Sequence, residues 1–336
     1  MVRRSLMVAT VLAIASPLAA QDEWTWTSGR PDGTAPIGVS GDRTLAQREV
    51  LVTYRFAQFN SRGVWVVNDS LPLAETLGFY SVAPLTLSRQ THSLTVAAGV
   101  TPDLTLMGSA EVSIFEREHV TNGGIFYRTG AEDLGDIAVN ALYSILNQGG
   151  TRAHLQMGAV LPIGATGSRA DTPFGADQVH PYDMRSGGGT FALTPGATLQ
   201  TQNERGSVGA QFVARINLGT GGRDYTLGDV YRADGWAAMQ INGTFSVSGG
   251  LRYRSWGSVE GSDPELDPGQ DPGNDGLFMA GQRLDLPLGL NIFMPEASVL
   301  AGHRVFAEAT YTIHHDYEGP QLGLDWGLTL GYQVGF

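Results

Sequence analysis

Charged and polar side chains alternate with apolar ones in several stretches of this sequence. Alternate residues of an extended strand point to the same face, so each stretch would carry its charges on one face and its apolar groups on the other. Opposed arginine and carboxylate groups lining a water-filled lumen can select small solutes by charge. The predicted lumen-lining residues are Arg55, Glu111, Asp136, Arg152, His154, Arg215, Arg252, Arg254, Asp285, Arg304, Glu308 and Asp325.

The same set of residues permits a purely structural interpretation. Its six arginines and five carboxylates would neutralise one another in salt bridges that stiffen a narrow barrel. A barrel of about twelve strands has a small lumen that is mostly filled by side chains. This favours the salt-bridge interpretation and leaves charge selection of solutes as the alternative.

Four aspartates are evenly spaced in residues 263–276, a segment that repeats Asp-Pro three times. Asp-Pro-Gly favours successive β-turns, which could gather carboxylate and carbonyl oxygens around a Ca²⁺ ion. The spacing is not that of an EF-hand, since Gly273 and Gln282 stand where ligands would be needed. A solvated, turn-rich external loop is the favoured interpretation. If calcium binds, the predicted ligands are Asp263, Asp267, Asp271 and Asp275, and no other cofactor is expected.

The sequence lacks the motifs of known catalytic sites. His92 directly precedes Ser93, so in a strand the two side chains face opposite sides and cannot form a hydrolase pair. His314 and His315 cannot share one metal ion for the same reason. The chain has no cysteine, no HExxH, no nucleophile elbow and no glycine-rich phosphate loop. We therefore expect no enzyme, and an outer-membrane lipid hydrolase is the least favoured function.

The last fifteen residues, 322–336, show the strand pattern most plainly. Bulky apolar residues occupy every even position, and small or polar residues fill the odd positions. The apolar face closes on Tyr332 and Phe336, as in the C-terminal strands by which outer-membrane barrels are recognised for insertion. We therefore expect Tyr332 and Phe336 to form an assembly signal.

Eleven further stretches show the same alternation between residues 48 and 313. The connections between them are mostly short turns at one end and long polar loops at the other, with Asn242-Gly243 as the clearest hairpin turn. Pro287 lies inside the tenth stretch and predicts a bulge or an unpaired amide there. The predicted fold is all-β: a transmembrane, antiparallel, up-and-down β-barrel of about 12 strands, with short periplasmic turns and longer extracellular loops.

The charged face of these strands must point into the barrel. Burying so many charges in a dry core would be prohibitive, whereas a wet lumen accommodates them. The apolar face is therefore expected to contact lipid.

Residues 1–20 have the pattern of a secretory signal peptide. Arg3 and Arg4 precede an apolar run, and cleavage is predicted after Ala20. A membrane anchor is disfavoured because Pro17 interrupts a run already too short to span a bilayer. Residues 21–46 lack periodicity and predict an irregular periplasmic segment, and residues 47–336 form the predicted barrel. The predicted location is the cell outer membrane.

Composition limits the partners of the protein. With 33 acidic and 21 basic residues, the chain offers no basic surface that would release counterions from nucleic acid. The expected partners are outer-membrane lipid and lipopolysaccharide, the barrel assembly machinery and a small-molecule solute.

Short motifs spread over most of the barrel resemble one known family. They are Pro36-Ile37-Gly38-Val39 with Gly41-Asp42, and residues 49–56, 99–104 and 135–138. In these motifs the chain resembles the outer-membrane transporter-like family named for the meta-pathway (MetA-pathway) of phenol degradation. Relatives near metal-handling genes carry Met and His where this chain has Ser40, Arg43 and Leu45, so the resemblance implies no metal role.

The resemblance and the residues together predict an outer-membrane channel for passive passage of small solutes, aromatic or otherwise hydrophobic ones among them. The alternative is a non-conducting structural or adhesion barrel that presents its extracellular loops, residues 60–87 and 260–280. Charge reversal at Arg252 and Arg254 separates the two, because it changes ion selectivity only in a channel.

Overall fold

The computed structural model of the protein describes residues 24–295 and 298–336. The predicted signal peptide, residues 1–20, lies outside the described residues. The described chain consists mainly of β-strands joined by turns and loops. No helix in the described ranges is long and apolar enough to cross a membrane.

The strands are numbered in chain order. They are β1 (Val50–Val67), β2 (Asp69–Leu71), β3 (Val82–Gly99), β4 (Leu104–Thr121), β5 (Phe126–Leu134), β6 (Ile137–Gln148), β7 (Thr151–Leu161), β8 (Arg169–Thr172), β9 (Gly175–Val179), β10 (Phe191–Leu193), β11 (Gly196–Gln202), β12 (Gly206–Leu218), β13 (Tyr225–Thr226), β14 (Val230–Gln240), β15 (Phe245–Trp256), β16 (Glu260–Gly261), β17 (Gly281–Phe293) and β18 (Arg304–Gly335). The connections contain the helix α1 (Leu73–Phe79) and the 3₁₀ turns Tyr182–Met184, Pro272–Asn274 and Gly276–Phe278.

Eleven strands are hydrogen-bonded into a closed antiparallel ring. Its order is β1, β3, β4, β6, β7, β11, β12, β14, β15, β17 and β18, and β18 pairs with β1 to close it. Three strands extend the ring locally: β2 pairs with β1, β5 with β4, and β10 with β7 and β12. Two short antiparallel pairs lie outside the ring: the hairpin of β8 and β9, and the pair of β13 with β16, which joins two of the loops.

The 32-residue strand β18 supplies two passes across the wall. Its first part pairs with β17 and its second part with β1. The two parts lie side by side, since a Cβ built at Gly327 would be 3.5 Å from Thr310 Cβ, and His303 hydrogen-bonds with Tyr332. The wall therefore has twelve passes, and the predicted antiparallel barrel of about 12 strands is confirmed.

The alternation of side chains explains why these segments form barrel strands. On β15, Val247, Leu251 and Tyr253 are exposed on the outer surface, whereas Ser246 and Arg252 are buried on the inner face. A soluble protein buries its apolar groups, and this barrel does the reverse. The outward apolar band is what a lipid environment requires of a barrel wall.

The two ends of the barrel differ in their connections. One end, called the short-turn end, carries residues 100–103, 149–150, 203–205 and 241–244. The other, called the long-loop end, carries residues 162–190, 219–229 and 257–280. In these loops Tyr182, Tyr225 and Val259 pack into an apolar cluster, which fixes the loops against one another.

Residues 24–46, called the lumen segment, run inside the barrel. The segment has no helix or strand, in agreement with its lack of periodicity. It starts at the short-turn end, where Trp26 N–H donates to Gly149 O, and the chain returns there where Arg48 N–H donates to Gly99 O. Ile37 is buried inside the barrel. The sequence predicted an irregular segment in the periplasm, whereas the structure places this segment in the lumen, because its polar backbone finds partners on the inner wall.

Strands near the long-loop end are longer than the sequence indicates. Residues 60–87 were expected to be irregular, but β1 continues to Val67 and β3 begins at Val82. Beyond the lipid-facing band both faces of a strand tolerate polar residues, so the alternation disappears although the backbone pairing continues. Pro287 stays in register opposite Thr310, and the irregularity of this pair of strands lies between Leu284 and Asp285.

Candidate functional site in the barrel lumen

Ten ionisable side chains from seven strands meet on the inner wall of the barrel. The register of β14, β15 and β17 places Asp234, Arg252 and Asp285 side by side. The other strands bring their inward-facing charges to the same part of the lumen. We call this group the central cluster: Arg55, Arg89, Arg232, Arg252, Arg254, Arg283, Glu111, Asp234, Asp285 and Glu308.

Arg252 is the best-connected member of the central cluster. Its Nε donates to Asp234 Oδ1 at 2.7 Å, and its Nη1 lies 3.0 Å from Glu308 Oε1. Glu308 is fully buried, so its charge requires this partner. The pairing agrees with the salt-bridge interpretation of these predicted lumen residues.

Three further salt bridges complete the paired part of the cluster. Arg283 lies 2.8 Å from Asp285, Arg232 lies 2.6 Å from Asp234, and Arg89 lies 3.3 Å from Glu111. The Thr312 hydroxyl also donates to Asp285, at 2.8 Å. These contacts fix most of the charges in position.

Two arginines of the cluster have no such partner. Arg254 and Arg55 make no salt bridge with any residue in the ranges 24–295 and 298–336. Arg254 is exposed on the inner wall, its guanidinium lies 5.7 Å from the Trp256 ring, and Arg283 is close enough to repel it. Because six guanidiniums face four carboxylates, the central cluster carries a positive excess.

The lumen segment docks on this cluster at Gly38. The Gly38 N–H donates to Glu308 Oε2 at 3.0 Å, and its carbonyl accepts a hydrogen bond from Arg232. A Cβ at this position would overlap Arg252 Nη2 and Glu308 Oε1, so only glycine allows this approach. The tip of the segment is therefore attached to the central cluster.

Closer to the short-turn end, polar wall residues bind the carbonyl groups of the lumen segment. His154 Nε2 donates to Gly41 O at 3.0 Å, and Gln211 Nε2 donates to Ser40 O at 3.0 Å. Gln200 Nε2 donates a hydrogen bond to the next carbonyl of the segment, Asp42 O, at 2.6 Å. His154, which was predicted to line the lumen, thus faces the lumen and binds the backbone of the lumen segment there.

At the short-turn end itself, two of the predicted lumen arginines hold the start of the segment. Arg304 donates to the carbonyl of Arg30 at 2.8 Å and also to that of Ser28. The guanidinium of Arg152 lies 4.9 Å from the centre of the Trp26 ring. A cation over an aromatic face in a desolvated place gains about 2 kcal/mol. Both arginines therefore stabilise the docked segment.

Asp136 and Arg215 tie the barrel wall to a long loop. They form a salt bridge of 2.9 Å, and the same carboxylate accepts the N–H groups of Gly164 at 3.1 Å and Gly188 at 2.9 Å. With these three partners, the Asp136 carboxylate anchors the loop of residues 162–190 to the barrel wall.

Residues 262–275 cross the mouth at the long-loop end and reach β3 and β4. Arg117 of β4 binds Asp271 from this loop at 2.7 Å and Asp183 from a second loop at 2.7 Å. Asp263 binds Arg185 at 2.8 Å and Arg223 at 2.6 Å. These charge-assisted contacts hold the loop in place over the mouth.

The loop carboxylates have shifted pKa values. Burial acts to raise the pKa of Asp271, but the Arg117 charge and the His119 hydrogen bond outweigh it, so this pKa lies below its ordinary value. The pKa of Asp263 is also lowered, since hydrogen bonds from Arg223 and from the Glu265 N–H outweigh burial. Burial raises the pKa of Asp183 in spite of Arg117. Acid therefore protonates Asp183 before it reaches the other two.

The structure does not gather the four aspartates proposed as calcium ligands. Asp263 and Asp271 bind guanidinium groups, Asp267 accepts the Gly269 N–H at 2.9 Å, and Asp275 accepts the Leu277 N–H at 3.3 Å. Among the described residues no group of three or more His, Cys, Asp or Glu side chains could hold a metal ion. Asp263 and Asp271 are buried, whereas the sequence predicted a solvated loop.

Asp325 lies apart from the other residues predicted to line the lumen. The β1 register shifts between Asn60 and Ser61, opposite this part of β18. Asp325 is exposed, and with Trp326 and Tyr311 it lines a recess of the outer surface. The shift in register moves this residue out of the lumen-facing series.

The histidines considered for catalysis have other roles. His92 Nδ1 hydrogen-bonds with the Tyr54 hydroxyl at 2.7 Å on the outer surface. His315 stacks on Tyr317 with ring centres 4.8 Å apart and meets the edge of Trp65 at 4.7 Å. These contacts are aromatic packing and hydrogen bonding within the wall.

Sequence reasoning missed several members of the site. Arg89 falls just outside the start of a predicted strand, and Arg232 and Asp234 precede one, so their inward positions were not counted. Arg232 and Asp234 could have been recognised from the sequence. They stand four and two residues before Trp236, which faces inward on the same strand, so they face inward as well. Arg117 could not be recognised, because its partners come from distant loops.

A closed antiparallel barrel with an apolar outer band and a charged lumen has the fold of bacterial outer-membrane proteins. Among solved structures, an outer membrane channel from Pseudomonas putida F1 aligns over 89% of this chain and 99% of its own, with a TM-score of 0.60 and 12% identity. That likeness shows a shared fold.

Two further outer-membrane proteins align with lower scores. The P. putida toluene transporter TodX has a TM-score of 0.45 and 10% identity over 94% of this chain and 99% of its own. The NanC porin has a TM-score of 0.42 and 12% identity over 84% of this chain and 98% of its own. No sequence profile of a known family matches the chain, and no curated protein matches its sequence.

Proposed function

We propose that the protein is an outer-membrane channel for the passive passage of small solutes, and that it is not an enzyme. One observation carries the proposal: Arg254 is an exposed cation without a carboxylate partner among the described residues, inside a closed barrel. A lumen built only for stiffness would neutralise its charges in pairs, whereas an unpaired inward charge needs water around it. The P. putida F1 protein of the same fold is described as an outer membrane channel.

Aromatic or otherwise hydrophobic solutes are part of the proposal. The sequence motifs that resemble the MetA-pathway family imply such solutes. A chain of aromatic rings on the inner wall supports the same class, since Trp65, His315, Tyr317 and Trp256 follow one another with ring centres 4.7, 4.8 and 5.9 Å apart. Flat apolar solutes can stack on the half-buried rings at the two ends of this series, Trp65 and Trp256, whereas Tyr317 between them is fully buried. Arg254 adjoins Trp256.

The lumen segment restricts the proposed path. It occupies the lumen between the short-turn end and the central cluster, to which it is fixed at Gly38. Solutes that pass must either follow the space beside the segment or displace it. We therefore expect a narrow channel with a small conductance.

A non-conducting barrel that presents its loops is the second candidate. The observation that favours it is the closure of both ends, by the lumen segment at one and by residues 262–275 at the other. The two candidates make opposite predictions for solute flux.

Solute flux into liposomes tests the proposed function. Purified barrel, refolded and inserted in liposomes, should admit small solutes faster than protein-free liposomes do, and small aromatic solutes should be among them. Folding is checked in the same sample by the slower gel migration of the unheated barrel. A folded barrel that admits neither ions nor any small solute would leave the non-conducting candidate.

A further inference from the structure

Four basic side chains form a row across the inner wall of the barrel. The register pairs Arg232 of β14 with Arg254 of β15, and Arg254 with Arg283 of β17. His315 of β18 stands opposite Arg283. Side chains at paired positions of neighbouring strands lie within reach of one another, so these four share one side of the lumen. We call them the basic row: Arg232, Arg254, Arg283 and His315.

The neighbours of Arg254 explain why it is the unpaired arginine of the row. On β14 and β17 the next position of the same face holds an aspartate, which binds the arginine of its own strand at 2.6 and 2.8 Å. On β15 that position holds Arg252. Arg254 therefore has guanidiniums beside it on both adjoining strands and on its own, and Arg89 of β3 is also close enough to repel it.

The carboxylates beside the row do not neutralise Arg254. Asp285 attracts it, but that carboxylate already binds Arg283 and accepts the Thr312 hydroxyl at 2.8 Å. Water solvates guanidiniums at paired positions but does not cancel their mutual repulsion. A ligand with one negative charge would balance the group, since on these four strands the central cluster has four arginines and three carboxylates: Arg232, Arg252, Arg254, Arg283, Asp234, Asp285 and Glu308.

An aromatic ring adjoins the basic row on the side of the long-loop end. Trp256 follows Arg254 by two residues on β15, its ring centre is 5.7 Å from the Arg254 guanidinium, and it is half-buried. The ring lies over Gly281 of β17, where a Cβ would come within 3.0 Å of it. A flat ligand can therefore lie on the accessible part of this ring with its anionic group at Arg254.

We propose that the basic row and Trp256 bind a small aromatic monocarboxylate, with its carboxylate at Arg254 and Arg283 and its ring on Trp256. A guanidinium makes two parallel hydrogen bonds to a carboxylate, so this group fits the row better than a spherical ion does. Arg232 also donates to the Gly38 carbonyl, so the ligand lies beside the docked tip of the lumen segment. The inference rests on the proposed function, because it names the class of solute that the channel passes.

Calorimetric titration tests the site without requiring passage. Folded mature protein in a non-ionic detergent at pH 7 should bind benzoate saturably. It should bind acetate, which lacks the ring, and benzyl alcohol, which lacks the charge, more weakly. Arg254→Gln breaks no salt bridge of the described residues and should weaken benzoate binding by about tenfold, because hydrogen bonds to charged groups are the strong ones. Arg128→Gln, which removes an exposed guanidinium elsewhere, should bind benzoate like the wild type.

Crystals soaked with 4-bromobenzoate locate the ligand. The anomalous peak of the bromine should lie beside the Trp256 ring, on the long-loop side of Arg254. It should be absent from soaked crystals of Arg254→Gln. A bromine peak elsewhere in the lumen, with none beside Trp256, would overturn the assigned site.

The outcomes separate this site from the proposed function. A folded wild type that does not bind benzoate saturably would overturn the site, and so would equal benzoate binding by Arg254→Gln. Acetate bound as tightly as benzoate would also overturn it, because the ring would then contribute nothing. A barrel that binds benzoate as described but admits no solute into liposomes would contradict the proposed function and leave the site in place.

Discussion

The Gly38 N–H donates a hydrogen bond of 3.0 Å to Glu308 Oε2, which joins the lumen segment to the wall across 270 positions of sequence. The other oxygen of Glu308 lies 3.0 Å from Arg252 Nη1. One carboxylate therefore holds both the tip of the lumen segment and the most connected arginine of the central cluster. Docking of the segment and the charge arrangement of the lumen are physically coupled.

Replacing Gly38 by valine should release the tip of the lumen segment. The new side chain would overlap Arg252 and Glu308, which are fixed by their own salt bridge, so the segment must move. We expect a several-fold rise in single-channel conductance. Gly29→Val is the matched control, since no atom lies within 4 Å of a Cβ built at Gly29. Identical conductance in Gly38→Val and wild type would show that the tip does not limit the path.

Charge reversal at Arg254 should change ion selectivity without unfolding the barrel. The side chain is exposed on the inner wall and makes no salt bridge among residues 24–295 and 298–336, so the variant Arg254→Glu breaks no ion pair. The anion-to-cation permeability ratio, measured from the reversal potential in a salt gradient, should fall. Arg128→Glu alters an exposed arginine that pairs with Glu118 and should leave the ratio unchanged. An unaltered ratio in Arg254→Glu would remove this residue from the solute path.

The loop over the mouth should stay closed at neutral pH and open only in strong acid. The pKa values of Asp263 and Asp271 lie below their ordinary value, so the folded state favours their ionised forms. Their contribution to closure is complete above the ordinary aspartate value of about 3.9 and is lost as the pH falls through the lowered values. Pepsin cleavage within residues 262–275, divided by the cleavage of an unfolded substrate at the same pH, should therefore be low near pH 4 and rise as the pH falls further. A normalised cleavage that does not rise below pH 4 would contradict the proposed role of the two aspartates.

Removing the Asp271 charge should open the same loop at neutral pH. Breaking a buried ion pair by removing one partner costs about 3–5 kcal/mol, and Arg117 here is almost fully buried. Asp271→Asn should therefore raise the rate of amide hydrogen exchange in residues 262–275, measured by mass spectrometry at pH 7. Asp267→Asn, at an exposed position of the same loop, should exchange like the wild type. Matching rates for Asp271→Asn and the wild type would show that the Arg117–Asp271 ion pair does not hold the loop in place.

Deleting Phe336 should impair assembly more than export. Its backbone pairs with Val50 at 2.8 and 3.0 Å, but its side chain is 75% exposed and contributes little to the folded barrel. We expect normal removal of the predicted signal peptide and a several-fold lower amount of protein in the outer-membrane fraction. Leu277→Ala, which trims an exposed apolar residue at the long-loop end, is the control. Unchanged outer-membrane levels after the deletion would refute the predicted assembly signal.

The barrel could be predicted from the sequence because a two-residue period is a local property. On β15 the alternation of Val247, Leu251 and Tyr253 with inward polar residues appears in the structure as it does in the sequence. The position of the lumen segment could not be predicted, because it depends on carbonyl groups that bind residues far away, as Gly41 binds His154. Every residue has a backbone carbonyl group, so the residue types do not show which carbonyl groups will be bound.

The limits were similar for the candidate site. The two-residue alternation of a strand predicts that Arg252 and Glu308 face inward. Which side chains they pair with depends on the register between strands, which the sequence does not show. Asp325 shows how one register shift removes a residue from the inward series.

Single-channel recording of the wild type and of a variant without residues 24–45 tests whether the lumen segment restricts a solute path through the barrel. Both proteins are refolded and inserted in planar bilayers under the same salt. We predict small, discrete conductance steps for the wild type and steps several-fold larger for the variant, because the lumen segment restricts the proposed solute path. Folded barrels of both kinds that leave the bilayer silent would contradict the account.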